Sequence, residues 1–238
     1  MNNSIFGFGY RGDLLTQFPD IVGGLLYATS VQNGPSPASL LDLYQAEQMR
    51  VKANGIAPTE TPALVAWRAA FRRFGVNPTQ YRSAAEALLR RLDKKGDIPT
   101  INCLVDIGNL VSIRYALPVA MIDIRDLASP ITVHPATGEE RFVELDNDAD
   151  ARPEVGEVVF MDAAGVVVAR RWCWRQSAES AARADTTSVL VTVEGHHAKA
   201  HADVAAAVAD LTDLLQRFTS ASVVTGVIDA RQPLFPVV

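Results

Sequence analysis

The stretch "INCLVDIGNLVSIRYALPVAMIDI" (101–124) contains the change of pattern that decides the fold. Residues 101–118 are typical of a helix that ends at Pro118, because proline lacks the backbone N–H that a helix needs. Asn102, Asp106 and Asn109 fall at i, i+4 and i+7 there and form a polar stripe on one helix face. After Pro118 the pattern is typical of strands. Helices therefore dominate the first half and strands the second, which predicts an α+β fold without regular βαβ alternation.

Cap and stop residues predict three helices before this segment, over 36–55, 61–75 and 83–96. Ser36 and Thr61 stand at helix starts and are each followed by proline, which is favoured in the first turn. Ser83 and Glu86 have the spacing of a capping box. The second helix has an apolar stripe at helical spacing, which predicts a buried face. That stripe consists of Leu64, Trp67, Phe71 and Phe74.

Short β-branched runs separated by turn residues predict the strands. They are 18–31, 119–124, 131–135, 141–145, 157–161, 166–174, 188–195 and 222–230. "DAAG" (162–165) predicts a hairpin turn between two of these strands. A further helix is expected at about 199–218.

Composition favours a soluble cytoplasmic protein. The chain has 238 residues, 48% hydrophobic and 21% charged, with no run long enough to span a bilayer and no secretory signal pattern. Cys103 and Cys173 do not make a disulfide framework, which suits a reducing compartment. We expect one domain over 1–238, with a helical, basic lead-in at 36–96 and a core at 97–232.

Positive charge is concentrated in the lead-in. Between Trp67 and Lys95 eight basic and two acidic residues give +6, so the rest of this −5 chain carries −11. A basic segment on an acidic body suits the docking of one polyanion, although solvated helix faces have the same pattern. The predicted docking residues are Arg68, Arg72, Arg73, Arg90, Arg91 and Lys94.

The octapeptide "RRWCWRQS" (170–177) holds two of the three tryptophans and one of the two cysteines. If it continues a strand, alternation places Arg171, Cys173 and Arg175 on one face, opposite Arg170, Trp172, Trp174 and Gln176. Such residues can stack a ring and hold a phosphate or carboxylate, or they can fill the core and pair with acids. Cys173 is interpreted as structural, because no activating base is evident.

Two of the histidines have the spacing of a partial metal site. His197 and His201, at i and i+4, would share a helix face, but a zinc site requires a third ligand that the sequence does not identify. We therefore predict neither a metal nor another cofactor. Any role of His196 stays open.

Three co-linear segments resemble a known family. Residues 101–123, 67–92 and 170–177, the last followed by "TTSVLVTVEG" (186–195), are similar to the B3/B4 (tRNA-binding and editing) domain of the phenylalanyl-tRNA synthetase beta subunit. The position of Cys173 is more often Asn in that signature. The resemblance covers roughly residues 15–232 and identifies a free-standing domain of this type.

This resemblance implies a three-layer fold in which helices flank a β-sandwich of unusual topology. It also implies tRNA binding and hydrolysis of tyrosine wrongly attached to tRNA, without aminoacylation. Three elements of the editing site differ. Ala120 stands where the synthetase has His, Thr192 where it has Glu, and residues 170–177 where it has a glycine-rich turn. Glu194 lies two residues beyond Thr192, hence on the same strand face, and is a partial substitute.

We therefore expect a tRNA-binding protein that hydrolyses mischarged aminoacyl-tRNA in trans. The alternatives are a non-catalytic binder of tRNA, amino acid or nucleotide, and another hydrolase or transferase on the same scaffold. Asp106 is interpreted as structural, whereas Asn109 and Arg114 are placed nearer the pocket. The predicted substrate-binding residues are Asn109, Arg114, Arg171, Trp172, Trp174, Arg175, Gln176 and Glu194.

Overall fold

The computed structural model of the protein describes residues 5–55, 57–145 and 150–236. The helices in this part are α1 Gly12–Gln17, α2 Ala38–Ala53, α3 Pro62–Arg73, α4 Ala84–Lys95, α5 Cys103–Tyr115 and α6 Ala200–Thr219. The strands are β1 Phe8–Tyr10, β2 Val22–Thr29, β3 Val119–Asp123, β4 Ile131–Pro135, β5 Phe142–Val143, β6 Asp150–Ala151, β7 Val158–Met161, β8 Val167–Arg170, β9 Arg175–Gln176, β10 Val189–Gly195, β11 Ser222–Asp229 and β12 Leu234–Phe235.

The strands form two main sheets. One has the order β12-β1-β4-β7-β8-β9 and the other β11-β2-β10-β3, while β5 and β6 pair separately. β1 and β4 are parallel, and the other pairs are antiparallel. β2 precedes the basic helices in the chain, yet it lies between β11 and β10.

The two faces of the four-stranded sheet are both covered, which confirms the α+β fold and its three layers. Alternate residues of β10 show this, because Val189, Val191 and Val193 join one core cluster and Leu190 joins another. The first cluster contains residues of α2, α4, α5 and α6, and the second is shared with the six-stranded sheet. All seven residues of β10 are buried, as expected for a strand covered on both faces.

The predicted helices are present, but three caps differ from expectation. Thr61 stands at the N-cap position of α3 without a side-chain hydrogen bond to the helix. Ser36 does not cap α2; its hydroxyl donates to Asp106 Oδ2 at 2.6 Å, and Pro37 precedes the helix. Ser83 caps α4 by accepting from the Glu86 N–H at 3.3 Å. The Glu86 carboxylate accepts from arginines instead of returning to Ser83, so this capping box is half formed.

The "DAAG" turn joins β7 to β8 as predicted. Gly165 has φ +88°, a conformation that favours glycine. The Asp162 Oδ1 accepts from the N–H groups of Ala164 and Val166 at 2.9 and 2.8 Å, so its side chain holds the turn.

The prediction of a continuous strand over 166–174 is wrong. The chain leaves β8 at Arg170, turns through 171–174 and returns as β9, with Arg170 opposite Arg175. Arg171 and Trp172 have φ of +44° and +63°, in the left-handed region that non-glycine residues rarely adopt. The predicted alternation of side chains between two faces therefore does not apply beyond Arg170.

Candidate functional site

A small cavity opens where the 171–174 turn meets the edge of the four-stranded sheet. Its volume is about 70 Å³. β10 contributes Thr192 and Glu194, because the side chains of these alternate residues point toward the six-stranded sheet. The other lining residues are Ala84, Pro118, Val119, Ala120, Phe160, Ala169, Trp172, Cys173, Trp174, Arg175 and Gln176.

Glu194 is the buried acid of this cavity, with 2% of its surface exposed. Its Oε1 accepts a hydrogen bond from the Tyr10 hydroxyl at 2.7 Å, and the Trp172 Nε1–H lies 3.2 Å from both carboxyl oxygens. Burial raises the pKa of Glu194 to about 7, against the opposing effect of these two donors. The carboxyl group therefore exchanges protons near neutral pH.

This pKa predicts a pH-dependent stability. Between pH 4.5 and about 7 the folded protein keeps the Glu194 proton that the unfolded chain loses. Stability therefore falls as pH rises through this window, by roughly 3 kcal/mol for this group. Urea unfolding from pH 4.5 to 8 measures this for the wild type and for Glu194→Gln. The free energy of unfolding should fall more steeply with pH in the wild type than in the variant. Parallel pH profiles would contradict this.

Trp172 belongs to a buried aromatic cluster beneath the cavity. Its side chain is fully buried, and its ring meets Phe18 and Trp67 edge-on at centroid distances of 5.0 and 5.3 Å. His196 packs at 4.9 Å from Trp172 and 4.5 Å from Trp67. Burial, with the nearby His197 and Arg73, lowers the pKa of His196 to about 3, so its ring is neutral. Because Trp172 is buried, its ring forms part of the cavity wall and is not exposed for stacking on a base.

Cys173 lines the cavity as a thiol. Burial first, and then the negative charge of Glu194, raises its pKa well above the usual value. A reactive cysteine needs the opposite shift, because only the thiolate is a strong nucleophile. The geometry thus favours the structural interpretation of this residue.

Arg175 and Gln176 form the polar side of the cavity. The Arg175 guanidinium lies 4.9 Å from the Trp174 ring centroid, and its NH1 is 3.9 Å from a carboxylate oxygen of Glu144. Gln176 Nε2 donates to the carbonyl groups of Met121 and Ser180 at 3.0 and 2.6 Å, which fixes its amide.

A second groove, of about 280 Å³, adjoins this cavity and shares Val119 and Gln176 with it. Asn109 lies in this groove rather than in the cavity. The remaining lining residues are Ile101, Val105, Gly108, Met121, Leu145, Ala181 and Ala182.

The structure does not bring Arg114 or Arg171 to the cavity, which corrects their expected positions. Arg114 faces the helical layer, where it bonds Glu47 of α2 at 2.9 Å and Asp210 of α6 at 2.7 Å. Arg171, whose φ is +44°, is not among the residues that line the cavity. Its guanidinium stacks on Tyr81 at 3.8 Å and on Trp174 at 4.7 Å.

The two histidines do not share a helix face. His197 precedes α6 and pairs with Asp203 at 2.7 Å, whereas His201 lies 3.6 Å from Asp229. Within the described ranges no group of three His, Cys, Asp or Glu side chains is placed to hold a metal ion.

The basic lead-in divides into paired and exposed cations. Arg68 and Arg90 both donate to the buried Glu86 carboxylate, at 2.7 and 2.8 Å, so these two predicted docking residues are already engaged in ion pairs within the fold. Of the six predicted docking residues, Arg72, Arg73, Arg91 and Lys94 are exposed.

Tyr10 is a site residue that the sequence did not indicate. It lies 184 positions from Glu194 in the chain, and no motif marks the N-terminal segment that carries it. Phe160 and Ala169 line the cavity and were likewise missed, because their strands are indistinguishable from ordinary core strands by pattern.

No curated protein matches this chain in sequence. The chain is similar in structure to a crystal structure of an N-terminal fragment of the phenylalanyl-tRNA synthetase beta subunit from Pyrococcus horikoshii, with a TM-score of 0.49 and 12% identity. The match covers 91% of this chain but only 49% of that fragment, so this chain spans about half its length.

None of the helices in the described ranges is both long and apolar enough to cross a bilayer.

The family model for the B3/4 domain matches residues 66–232, which is well over half of the sequence. Its match includes the 171–174 turn and the residues of β3 and β10 that line the cavity. The protein belongs to the B3/4 domain family.

Proposed function

We propose that this protein binds the aminoacylated end of a tRNA and hydrolyses the ester bond in trans. The observation that carries the proposal is the Glu194 carboxyl group at the wall of a small cavity, with a pKa of about 7. A general base is most effective when its pKa lies near the working pH. Membership of the B3/4 domain family directs the proposal toward tRNA.

The hydrolysis requires water and a base rather than a protein nucleophile. Ionised Glu194 takes a proton from a water molecule as the water oxygen bonds to the ester carbon. The C–O bond to the ribose then breaks, and Glu194 returns the proton to the departing ribose oxygen. The Arg175 guanidinium stabilises the negative charge that develops on the carbonyl oxygen.

The adjoining groove is suited to the terminal adenosine. Its walls are mostly apolar, and Asn109 supplies an amide inside it, whereas the amide N–H groups of Gln176 at its border with the cavity are already bonded to Met121 and Ser180. An asparagine amide can pair with the donor and acceptor edge of adenine, so Asn109 is the residue proposed to contact the base. In this arrangement the aminoacyl group enters the cavity while the base remains in the groove.

Deacylation assays test the catalytic role. Across a panel of aminoacyl-tRNAs, Glu194→Gln should slow enzyme-dependent hydrolysis by about 10²–10⁴-fold, because the base is removed. For the wild type, the rate should rise with pH and level off above about 7, since the ionised form is active. Arg175→Ala should also slow hydrolysis. His201→Gln, which changes an exposed residue outside the cavity, should leave the rate of hydrolysis unchanged. Full activity in Glu194→Gln would exclude the carboxyl group as base.

A non-catalytic binder is the second candidate. It is favoured by Ala120 and Thr192, which stand at two positions where the synthetase domain has its editing residues. Binding of aminoacyl-tRNA without any turnover by the wild type would establish this alternative.

We further propose that exposed cations of α3 and α4 carry the tRNA body. The test variant changes four residues to Gln: Arg72, Arg73, Arg91 and Lys94. It should bind tRNA more weakly. The slope of log affinity against log salt should become shallower by up to about 3, because each lost phosphate contact contributes ~0.7–0.9. The matched control neutralises four exposed cations elsewhere, Arg152, Lys199, Arg217 and Arg231. Equal losses in the two variants would argue for non-specific attraction.

A further inference from the structure

We infer that the cavity accepts only small aminoacyl side chains, those of glycine, alanine, serine and cysteine, and that Trp172 sets this limit. The inference rests on the proposed function, because it takes the aminoacyl group to enter the cavity. It concerns which substrates fit and is independent of whether hydrolysis follows binding.

Volume is the first reason. The cavity holds about 70 Å³. An apolar protein cavity that binds benzene has a volume of about 150 Å³. A phenylalanine or tyrosine ring is therefore too large for the space present, whereas a methyl, hydroxymethyl or thiomethyl group is not.

The rigidity of the wall is the second reason. Trp172 is fully buried and held edge-on by Phe18 and Trp67, and its backbone N–H donates to the Val158 carbonyl at 2.6 Å. Its indole N–H also binds the Glu194 carboxyl group. Moving this ring would break packing and hydrogen bonds together, so a large ligand cannot open the cavity cheaply.

The opposite walls leave little room for adjustment. Phe160 is 1% exposed and Ala169 is 5% exposed, and both belong to the core between the sheets. The partly buried lining residues are Ala84, Val119, Ala120, Cys173, Trp174, Arg175 and Gln176, so the room for adjustment lies on the side of the cavity that they form. Trp172 and Trp174 are the largest side chains of the wall, and Trp172 is the fully buried one, so its substitution adds space on the rigid side of the cavity. A larger side chain at Ala120 would reduce the space inside the cavity.

The test uses non-hydrolysable aminoacyl-adenosine analogues in which an amide replaces the ester. Calorimetry on the full chain compares glycyl, alanyl, seryl, valyl, phenylalanyl and tyrosyl analogues, which differ only in the side chain. The wild type should bind the tyrosyl analogue at least about 100-fold more weakly than the alanyl analogue, because overfilling a rigid site is costly.

Two variants move the limit in opposite directions. Trp172→Phe, which retains a buried ring, should raise the affinity for the valyl analogue relative to the alanyl one by about 10-fold or more. Ala120→Leu should reduce binding of the alanyl analogue and retain the glycyl one. Near-ultraviolet circular dichroism verifies that both variants are folded.

The outcomes separate this inference from the proposed function. Equal binding of tyrosyl and alanyl analogues by the wild type would overturn the size limit while leaving deacylation possible. The predicted size order without deacylation of any aminoacyl-tRNA would support the limit and exclude hydrolysis. Absence of binding by every analogue would overturn both.

Discussion

Replacing Arg170 by methionine should lower the free energy of unfolding by about 3–5 kcal/mol, the range for breaking a buried ion pair. The Arg170 guanidinium makes two parallel bonds of 2.9 Å to the carboxyl oxygens of Glu157. Only 7% and 1% of the two side chains are exposed. The variant would leave the Glu157 carboxylate buried beside fewer donors, which is costly because water cannot reach it.

A double variant separates the lost pair from the stranded charge. Arg170→Met with Glu157→Gln should recover much of the loss, since the buried carboxylate charge is removed and the amide oxygen can still accept from the Arg171 N–H, while the Arg171 guanidinium keeps its ion pair with Glu154. The exposed control Arg231→Met should change stability by at most about 0.5 kcal/mol. A loss below about 1 kcal/mol in Arg170→Met would show instead that the pair behaves as a surface salt bridge.

Replacing Trp67 by alanine should cost a similar amount, about 3–5 kcal/mol, because a large cavity would remain in the core. Trp67 lies on α3 but is 1% exposed, and its ring packs against Trp172 and His196. Its indole N–H donates to the Glu194 carbonyl at 3.3 Å. The expected loss of stability would show that α3 is part of the core between the sheets.

Trp174→Ala is the matched control. Trp174 is partly exposed and packs against Tyr81 at 5.0 Å, so its removal should cost less than about 2 kcal/mol. Urea unfolding monitored by circular dichroism gives both values. If the two tryptophan variants lost equal stability, the placement of Trp67 in the core would be contradicted.

Local sequence patterns predicted most elements of the fold. Thr61 with Pro62 marked the start of α3, and Ser83 and Gly96 marked the two ends of α4. Such signals are local, since caps and stops act within one helical turn. The turn at 162–165 was predicted for the same reason. The short strands β1, β9 and β12 were missed, because two or three residues contain no periodicity to detect.

The prediction for 170–177 failed for a different physical reason. Its residues favour a strand, and neither arginine nor tryptophan indicates a left-handed backbone. The turn is held by distant groups, such as the Val158 carbonyl, which accepts from the Trp172 N–H, and Glu157, which accepts from the Arg171 N–H. Tertiary contacts therefore overrode the local preference.

The sequence by itself determined the order of helices and strands, the concentration of positive charge between Trp67 and Lys95, and the resemblance to the B3/B4 domain. Only the tertiary structure decided which side chains meet. It joined Tyr10 to Glu194, took Arg114 to the helical layer and committed Arg68 and Arg90 to Glu86. Periodicity and caps report contacts within a few residues, whereas these pairings depend on how the sheets and helices pack across the chain.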